Sequence, residues 1–493
     1  MKPSQRVGKN IAWLLVAGGI GAVLQMLAVL LAARGLSLSD FGTFNYLLSF
    51  AIVFQFLADF GLTNILTREV ARHPNNVGHL LGSAKGLMWA LFFLSTPLLL
   101  GTVLLLNLPP GTQAQSFVMG LASLTLLQAI SYSAVLRAIE AMEFNAIGFV
   151  LHKGLIAGFV GLSLACGWGL WGVVLSQLAA SLIFWFFNWQ IVSWRVVRAS
   201  PTIDFALWKS MLVEAVPLGS GLVLRQFAWQ ADILILMWLV DANTLGLFSG
   251  PYRILLGLRM ISMAFALPLY PVMIRSTEGR AEKFTEFYNR AMKWFCCLSV
   301  PGAVFFIIWP RMLILTLLGK KFIGAEPAMQ WFGVAFVPMF VSALSPFIYT
   351  ALRLTPFFCL AVGMAVLMRV GGDLAVVPSL GYVGGCVVAV FSEIAAFAIL
   401  AYFLKRKGHP LWMANFLVKP ILAGLFMAAI LFPARQLPLF QALPVAAAAG
   451  IAYLGALFLL RTFSSDELRL MREGLGFLSV YFRKSSRQLE GEA

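Results

Sequence analysis

The stretch Leu212 to Trp238 reads LVEAVPLGSGLVLRQFAWQADILILMW, and Leu245 to Val272 reads LGLFSGPYRILLGLRMISMAFALPLYPV. Each is long enough to cross a bilayer, which takes about 20 apolar residues. Yet the two hold Arg225, Arg253 and Arg259, and a third such stretch holds Arg369. A cation at mid-bilayer costs about 2.5 kcal/mol on insertion scales, so it persists only where it faces protein, water or an anion. The pattern therefore points to a polar interior past which something negative is carried.

Working outward, the rest of the chain has the same character. Of 493 residues, 60% are hydrophobic and only 11% charged, with mean hydropathy +0.88, which excludes a soluble domain around one core. The expected class is an all-α polytopic membrane protein of about fourteen spans. The first seven are placed at residues 10–33, 41–65, 83–106, 115–137, 146–166, 169–192 and 212–238. The remainder fall at 245–272, 293–310, 329–352, 356–378, 381–404, 414–433 and 441–461.

The formal charge of +16 would suggest nucleic acid in a soluble protein, but here its placement explains it, and no nucleic-acid partner is expected. With loops assigned alternately to the two sides, one side receives nearly all the Lys and Arg, Lys85, Arg137 and Lys153 among them. The other receives only Arg34, Arg311, Lys320, Lys321 and Arg435. The positive-inside rule then places both termini in the cytoplasm and requires an even span count. Met1 to Lys9 is basic, but the apolar run after it is too long for a signal-peptide core and is read as a retained first span.

Five cysteines without a CxxC or a nearby His pair read as packing residues, and no metal or cofactor is expected. His73, His79, His152 and His409 are read as lying at or near cytoplasmic loops, which argues against a buried histidine relay. Ser464, Ser465, Asp466 and Glu467 look like a helix cap opening a cytoplasmic tail, 464–493, read either as surface-bound or as loosely ordered.

The chain repeats weakly. Asp40-Phe-Gly-Thr-Phe-Asn-Tyr46 opens the second span and Thr244-Leu-Gly-Leu-Phe-Ser-Gly-Pro-Tyr252 the eighth. Ser133 to Arg137 closes the fourth and Thr350 to Arg353 the tenth. Gly169 to Gly172 opens the sixth and Gly381 to Gly384 the twelfth. Each pair sits six spans apart, so two halves share one orientation, a parallel repeat of the kind that encloses a cleft and supports alternating access. The expected division is residues 1–195 and 208–408 as two six-helix bundles, 409–463 as two additional helices, and then the tail.

The order of Pro217, Asp232, Leu245-Gly246, Tyr252-Arg253 and Pro271, with Phe41-Gly42, Gly61-Leu62 and Arg68-Glu69 earlier, resembles the polysaccharide-export or Wzx-like oligosaccharide flippases of the MATE-like (MOP) superfamily. The resemblance implies a bacterial inner-membrane transporter, not an enzyme. Its cargo would be oligosaccharide on a polyprenyl diphosphate, moved from the cytoplasmic to the outer leaflet for O-antigen, capsule or exopolysaccharide. Implied partners are membrane lipids, a polysaccharide polymerase and chain-length proteins. A lipid II-type flippase is a close alternative and a multidrug exporter a more distant one. A polytopic glycan polymerase or ligase is disfavoured, because the largest outer loop carries no His or paired carboxylates.

Depth along the spans sorts the buried charges. Asp232 and Arg253 lie at the same outer depth and read as a pair. Arg369 and Glu393 match in depth, with Asp373 one turn from Arg369 as a competing partner. Arg225 and Arg259 have no acid of matching depth on their own helices, so they read as the diphosphate site, because guanidinium stays charged and binds phosphate as a fork. Arg253 is a mobile third partner in this reading, and Trp229 is either a platform for a sugar ring or a plain packing residue. The alternative pairs Arg225 and Arg259 with Asp59 or Glu393 from distant spans. Asp232, Glu393 and Asp59 are candidates for coupling to an ion. Pro217 is the candidate hinge in span seven, while Gly18, Gly19 and Gly21 in span one read either as breaks or as positions of close helix packing.

Overall fold

A backbone in hydrocarbon has no water to bond, so every spanning segment must close its own hydrogen bonds. In the computed structural model the described residues, 3–73, 76–196, 198–277, 281–437, 439–464 and 467, do so as helices, with no strand among them. The first half comprises α1 (Pro3–Gly35), α2 (Leu38–Asp59), α3 (Leu62–Arg72), α4 (Val77–Leu105), α5 (Pro110–Ala138), α6 (Met142–Ala165) and α7 (Gly169–Arg195). There follow α8 (Phe205–Leu239), α9 (Ala242–Thr277), α10 (Ala281–Ile308), α11 (Pro310–Leu317), α12 (Glu326–Ser342), α13 (Ser345–Ala351) and α14 (Thr355–Arg406). The last two are α15 (Met413–Leu431) and α16 (Leu439–Leu459).

Helices stand at all the expected span positions. Eleven stretches of the described residues are long and apolar enough to cross a membrane. The largest, α14, has 52 residues and holds two expected spans. A straight helix of that length would reach roughly 80 Å, far beyond the hydrocarbon core. It folds at Gly381, whose φ of 58° and ψ of −149° suit only glycine. The segments α9 and α15 lie where spans are expected but outside the eleven, and the apolar part of α15, Phe416–Leu431, is short.

In the first half, α1 packs on α6, α5 lies between α2 and α7, and α6 touches α7. In the second, α10 packs on α12, and α14 on α8 and α12, while α15 and α16 attach through α10. The halves meet where α2 lies against both α8 and α9. At one end of this seam Gly42 and Gly246 bring two backbones together: a Cβ on Gly42 would strike Ala242 O, and one on Gly246 would strike Leu38 O. Asp241 fixes the start of α9 there, accepting from Asn243 N at 2.9 Å and Thr244 N at 3.1 Å; the Thr244 hydroxyl and these amides hold its carboxyl below the ordinary range. At the other end a Cβ on Gly219 would strike Phe60 O, and Arg68 pairs with Glu214.

Of the two bending readings, the structure bears on the one in span one. Helix α1 runs unbroken through Gly18, Gly19 and Gly21, and Gly21 lies against Phe149 as a packing position. Pro217 falls within α8, but its side chain lies outside the described residues. So does nearly all of the tail from Ser464, except that Ser464 N donates to Glu467 Oε2 at 2.8 Å and Glu467 N to Ser464 Oγ at 3.3 Å, a reciprocal cap.

Candidate functional site

Helices α8 and α9 are tied together at mid-length by Tyr252, whose hydroxyl donates to Trp229 O at 2.9 Å. Trp229 carries two cations: the Arg259 guanidinium lies 3.9 Å from the ring centroid and that of Arg225 5.5 Å. Arg225 and Trp229 are one turn apart on α8, and Arg259 reaches the same ring from α9. Among the described residues neither guanidinium is paired with a carboxylate, and Arg259 Nε is buried without a hydrogen-bond partner. Both line one cavity with Trp229, Arg369 and Glu393, together with Ser342, Pro346 and the start of α14. Stacking on an aromatic face gives each cation about 0.5–2 kcal/mol, which offsets part of its desolvation and leaves the N–H edge available.

Arg369 is held differently. From α14 it donates to Asp232 Oδ2 at 2.9 Å, Glu393 Oε1 at 2.9 Å, Ser392 Oγ at 2.9 Å and Ala228 O at 3.1 Å. The expected match with Glu393 is present. The expected pair of Asp232 with Arg253 is not: Asp232 is fully buried against Arg369, tying α8 to α14. Arg253 instead crosses to the first half, donating to Asn45 Oδ1 at 2.6 Å, Ser49 Oγ at 3.0 Å and Asn45 O at 3.2 Å. These bonds hold it at the seam between the halves, and it does not line the Arg225–Arg259 cavity. Asp373 is buried, with neither carboxylate oxygen bonded among the described residues, so it does not compete for Arg369. Asp59 accepts from Thr63 N and Thr63 Oγ1, both at 3.1 Å, and so caps α3 rather than meeting Arg225 or Arg259.

Two residues read as loop cations or loop histidines lie elsewhere. Lys153 stands midway along α6, about 16 Å from its start at 1.5 Å per residue, and donates to Gln25 Oε1 at 2.7 Å. His152 beside it is buried, its ring 4.8 Å from that of Phe184. The signal was present in the sequence, since both fall inside the expected fifth span. Asn45 and Ser49 carried none, because a small amide and a hydroxyl are ordinary in membrane helices.

The family described as polysaccharide biosynthesis protein matches residues 7–277. No curated protein sequence matches the chain. Among solved structures, the chain is similar to the lipid II flippase MurJ in an inward closed conformation, with TM-score 0.73 and 15% identity over 90% of this chain and 98% of that one. An inward-facing multidrug resistance MATE transporter of the MOP superfamily gives TM-score 0.64 and 14% identity over 78% and 94%. A MOP superfamily transporter from Pyrococcus furiosus, whose description reports a binding pocket of reverse polarity, gives 0.55 and 15% over 83% and 98%. At such identities the likeness establishes the fold, whereas the family match spans more than half of the sequence. This multi-pass membrane chain therefore belongs to the polysaccharide biosynthesis protein family and has the fold of the MOP superfamily transporters.

Proposed function

We propose that the chain flips polyprenyl-diphosphate-linked oligosaccharide from the cytoplasmic to the outer leaflet by alternating access, for surface polysaccharide synthesis. The moving bodies are residues 1–195 and 208–408, with 409–463 as an appendage. Both termini are cytoplasmic, so the Arg68–Glu214 end of the seam faces the cytoplasm and the Gly42–Gly246 end faces outward. The observation that carries this reading is the pair of guanidiniums on Trp229, cations at mid-helix in a cavity and, among the described residues, with no carboxylate bonded to them. A diphosphate satisfies that arrangement, because each guanidinium offers a planar fork to phosphate oxygens.

The glycan's hydroxyls need a wet passage, since each unsatisfied polar group in hydrocarbon costs several kcal/mol. The prenyl tail stays in lipid. An inside-negative potential favours outward passage of the head by about 2.3 kcal/mol per charge per 100 mV. Exporters of organic cations would need free acids in the cavity, whereas Asp232 and Glu393 are both committed to Arg369.

The test is flipping of lipid-linked oligosaccharide in vesicles by the wild type and by Arg225→Ala with Arg259→Ala. Charge-assisted bonds of about 1.5–3 kcal/mol each predict a loss on the order of 100-fold or more in the double variant. Unchanged rates would remove the site. Faster flipping of lipid II than of an oligosaccharide diphosphate would move the chain to the peptidoglycan branch.

A further inference from the structure

A second cavity, of about 310 Å³, lies within the first half, walled by α1, α2, α5, α6 and α7 and closed by α9. Its volume falls at the lower end of the range for small-ligand sites, roughly 300–1,000 Å³. Lys153 lines this space, with Gln25 as its one hydrogen-bond partner among the described residues and the Phe149 ring 5.8 Å away. Gln55 and Gln177 also line it, as does His152, whose buried Nε2 has no partner among the described residues. Among the described residues no carboxylate lines the cavity. Arg253 lines it too, but its guanidinium is committed to Asn45 and Ser49.

An ammonium at the middle of a spanning helix, with one neutral partner and no counter-charge among the described residues, is costly unless an anion completes it. The site differs in kind from the Arg225–Arg259 cavity. A single compact ammonium suits a monoanion, where two guanidinium forks suit phosphates. Three glutamine amides present both donors and acceptors, the complement of a sugar's hydroxyls. Helix α9 is the common wall, with Gly257 and Met260 toward this space and Arg259 toward the other. The two sites are thus about one helix diameter apart, roughly 10–12 Å, within reach of one extended glycan head.

We propose that this cavity binds a carboxylate-bearing sugar, Lys153 taking the carboxylate and Gln25, Gln55 and Gln177 the ring hydroxyls. The assignment rests on the transport reading above, and it adds a preference for acidic glycans that the diphosphate site cannot supply.

The experiment uses full-length protein in lipid nanodiscs, with glucuronate, glucose and inorganic phosphate as separate probes and binding read by calorimetry. Glucuronate is expected to bind at least 10-fold more tightly than glucose or phosphate. Lys153→Met should abolish that difference, Lys153→Arg should retain most of it, and Gln177→Leu should weaken it several-fold. Arg225→Ala with Arg259→Ala should leave glucuronate binding unchanged while flipping is lost. Equal binding of glucuronate and glucose, tighter binding of phosphate, or full glucuronate binding by Lys153→Met overturns the proposal. If any of these occurs while the double arginine variant still fails to flip, only this second site is removed. In vesicles, Lys153→Met should slow flipping of an acidic lipid-linked glycan about 10-fold relative to a neutral one.

Discussion

Gly42 of α2 and Gly246 of α9, six spans apart in the chain, lie against each other's helix backbone, each in the place where the other half's repeat motif begins its span. Because the neighbours are main-chain atoms, Ala242 O and Gly246 N on one side and Leu38 O on the other, no side-chain rotation makes room for a larger residue. Two glycines thus set how closely the halves approach at this end of the seam.

Gly42→Val should force the helices apart. Overpacking of this kind costs about 1–3 kcal/mol. The expected result is a lower melting temperature of the purified protein and increased labelling of a cysteine placed at Ser49, read by mass spectrometry. Gly101, which has open space around it, should accept the same change without either effect.

Arg369→Ala should be the most damaging of the four arginine substitutions for stability. It leaves the fully buried Asp232 without its counter-charge, and breaking a buried pair costs about 3–5 kcal/mol. Arg225→Ala and Arg259→Ala, which strand no carboxylate, should shift thermal unfolding far less. Combining Arg369→Met with Asp232→Asn and Glu393→Gln should restore much of the lost stability, as measured by detergent-solubilised melting.

Trp229→Ala should weaken flipping about 10-fold, because it frees both guanidiniums from the surface that orients them, each contact contributing about 0.5–2 kcal/mol. Trp229→Phe keeps an aromatic face and should lose less. The discriminating measurement is the initial flipping rate against substrate concentration, where a mispositioned site raises the half-saturating concentration.

Glu467 gives a pH-dependent prediction outside the membrane. Burial pushes its carboxyl up, but the Lys293 ammonium at 2.6 Å and the Ser464 bonds outweigh that and hold it below its ordinary 4.5. A depressed carboxylate stabilises the fold above its unfolded value and loses that contribution as pH falls through the folded one. Proteolysis of the segment after α16 should therefore rise on acidification below about pH 4.5. Glu467→Gln should show the raised rate already at pH 7 and little further change with acid.

The spans were legible because bilayer thickness imposes a length and hydropathy that local sequence must meet. Depth could be counted as well, and it paired Arg369 with Glu393. Counting depth also suggested Asp232 with Arg253, and there it failed. Position along a helix gives height in the membrane but not the direction in which the side chain faces around the bundle.

That direction comes from packing among many helices. It turns Asp232 toward α14 and sends Arg253 to Asn45, 208 residues earlier in the chain. The depth of Lys153 could be read from its place inside the expected fifth span, but its facing toward Gln25 of α1 came only from packing. The sequence by itself determined a helical membrane chain with cations at depth, because solvation acts on each segment locally. Which cations are matched by carboxylates and which stand at open cavities was decided only by tertiary structure, because a counter-charge is a matter of a few ångströms between helices that are far apart in sequence.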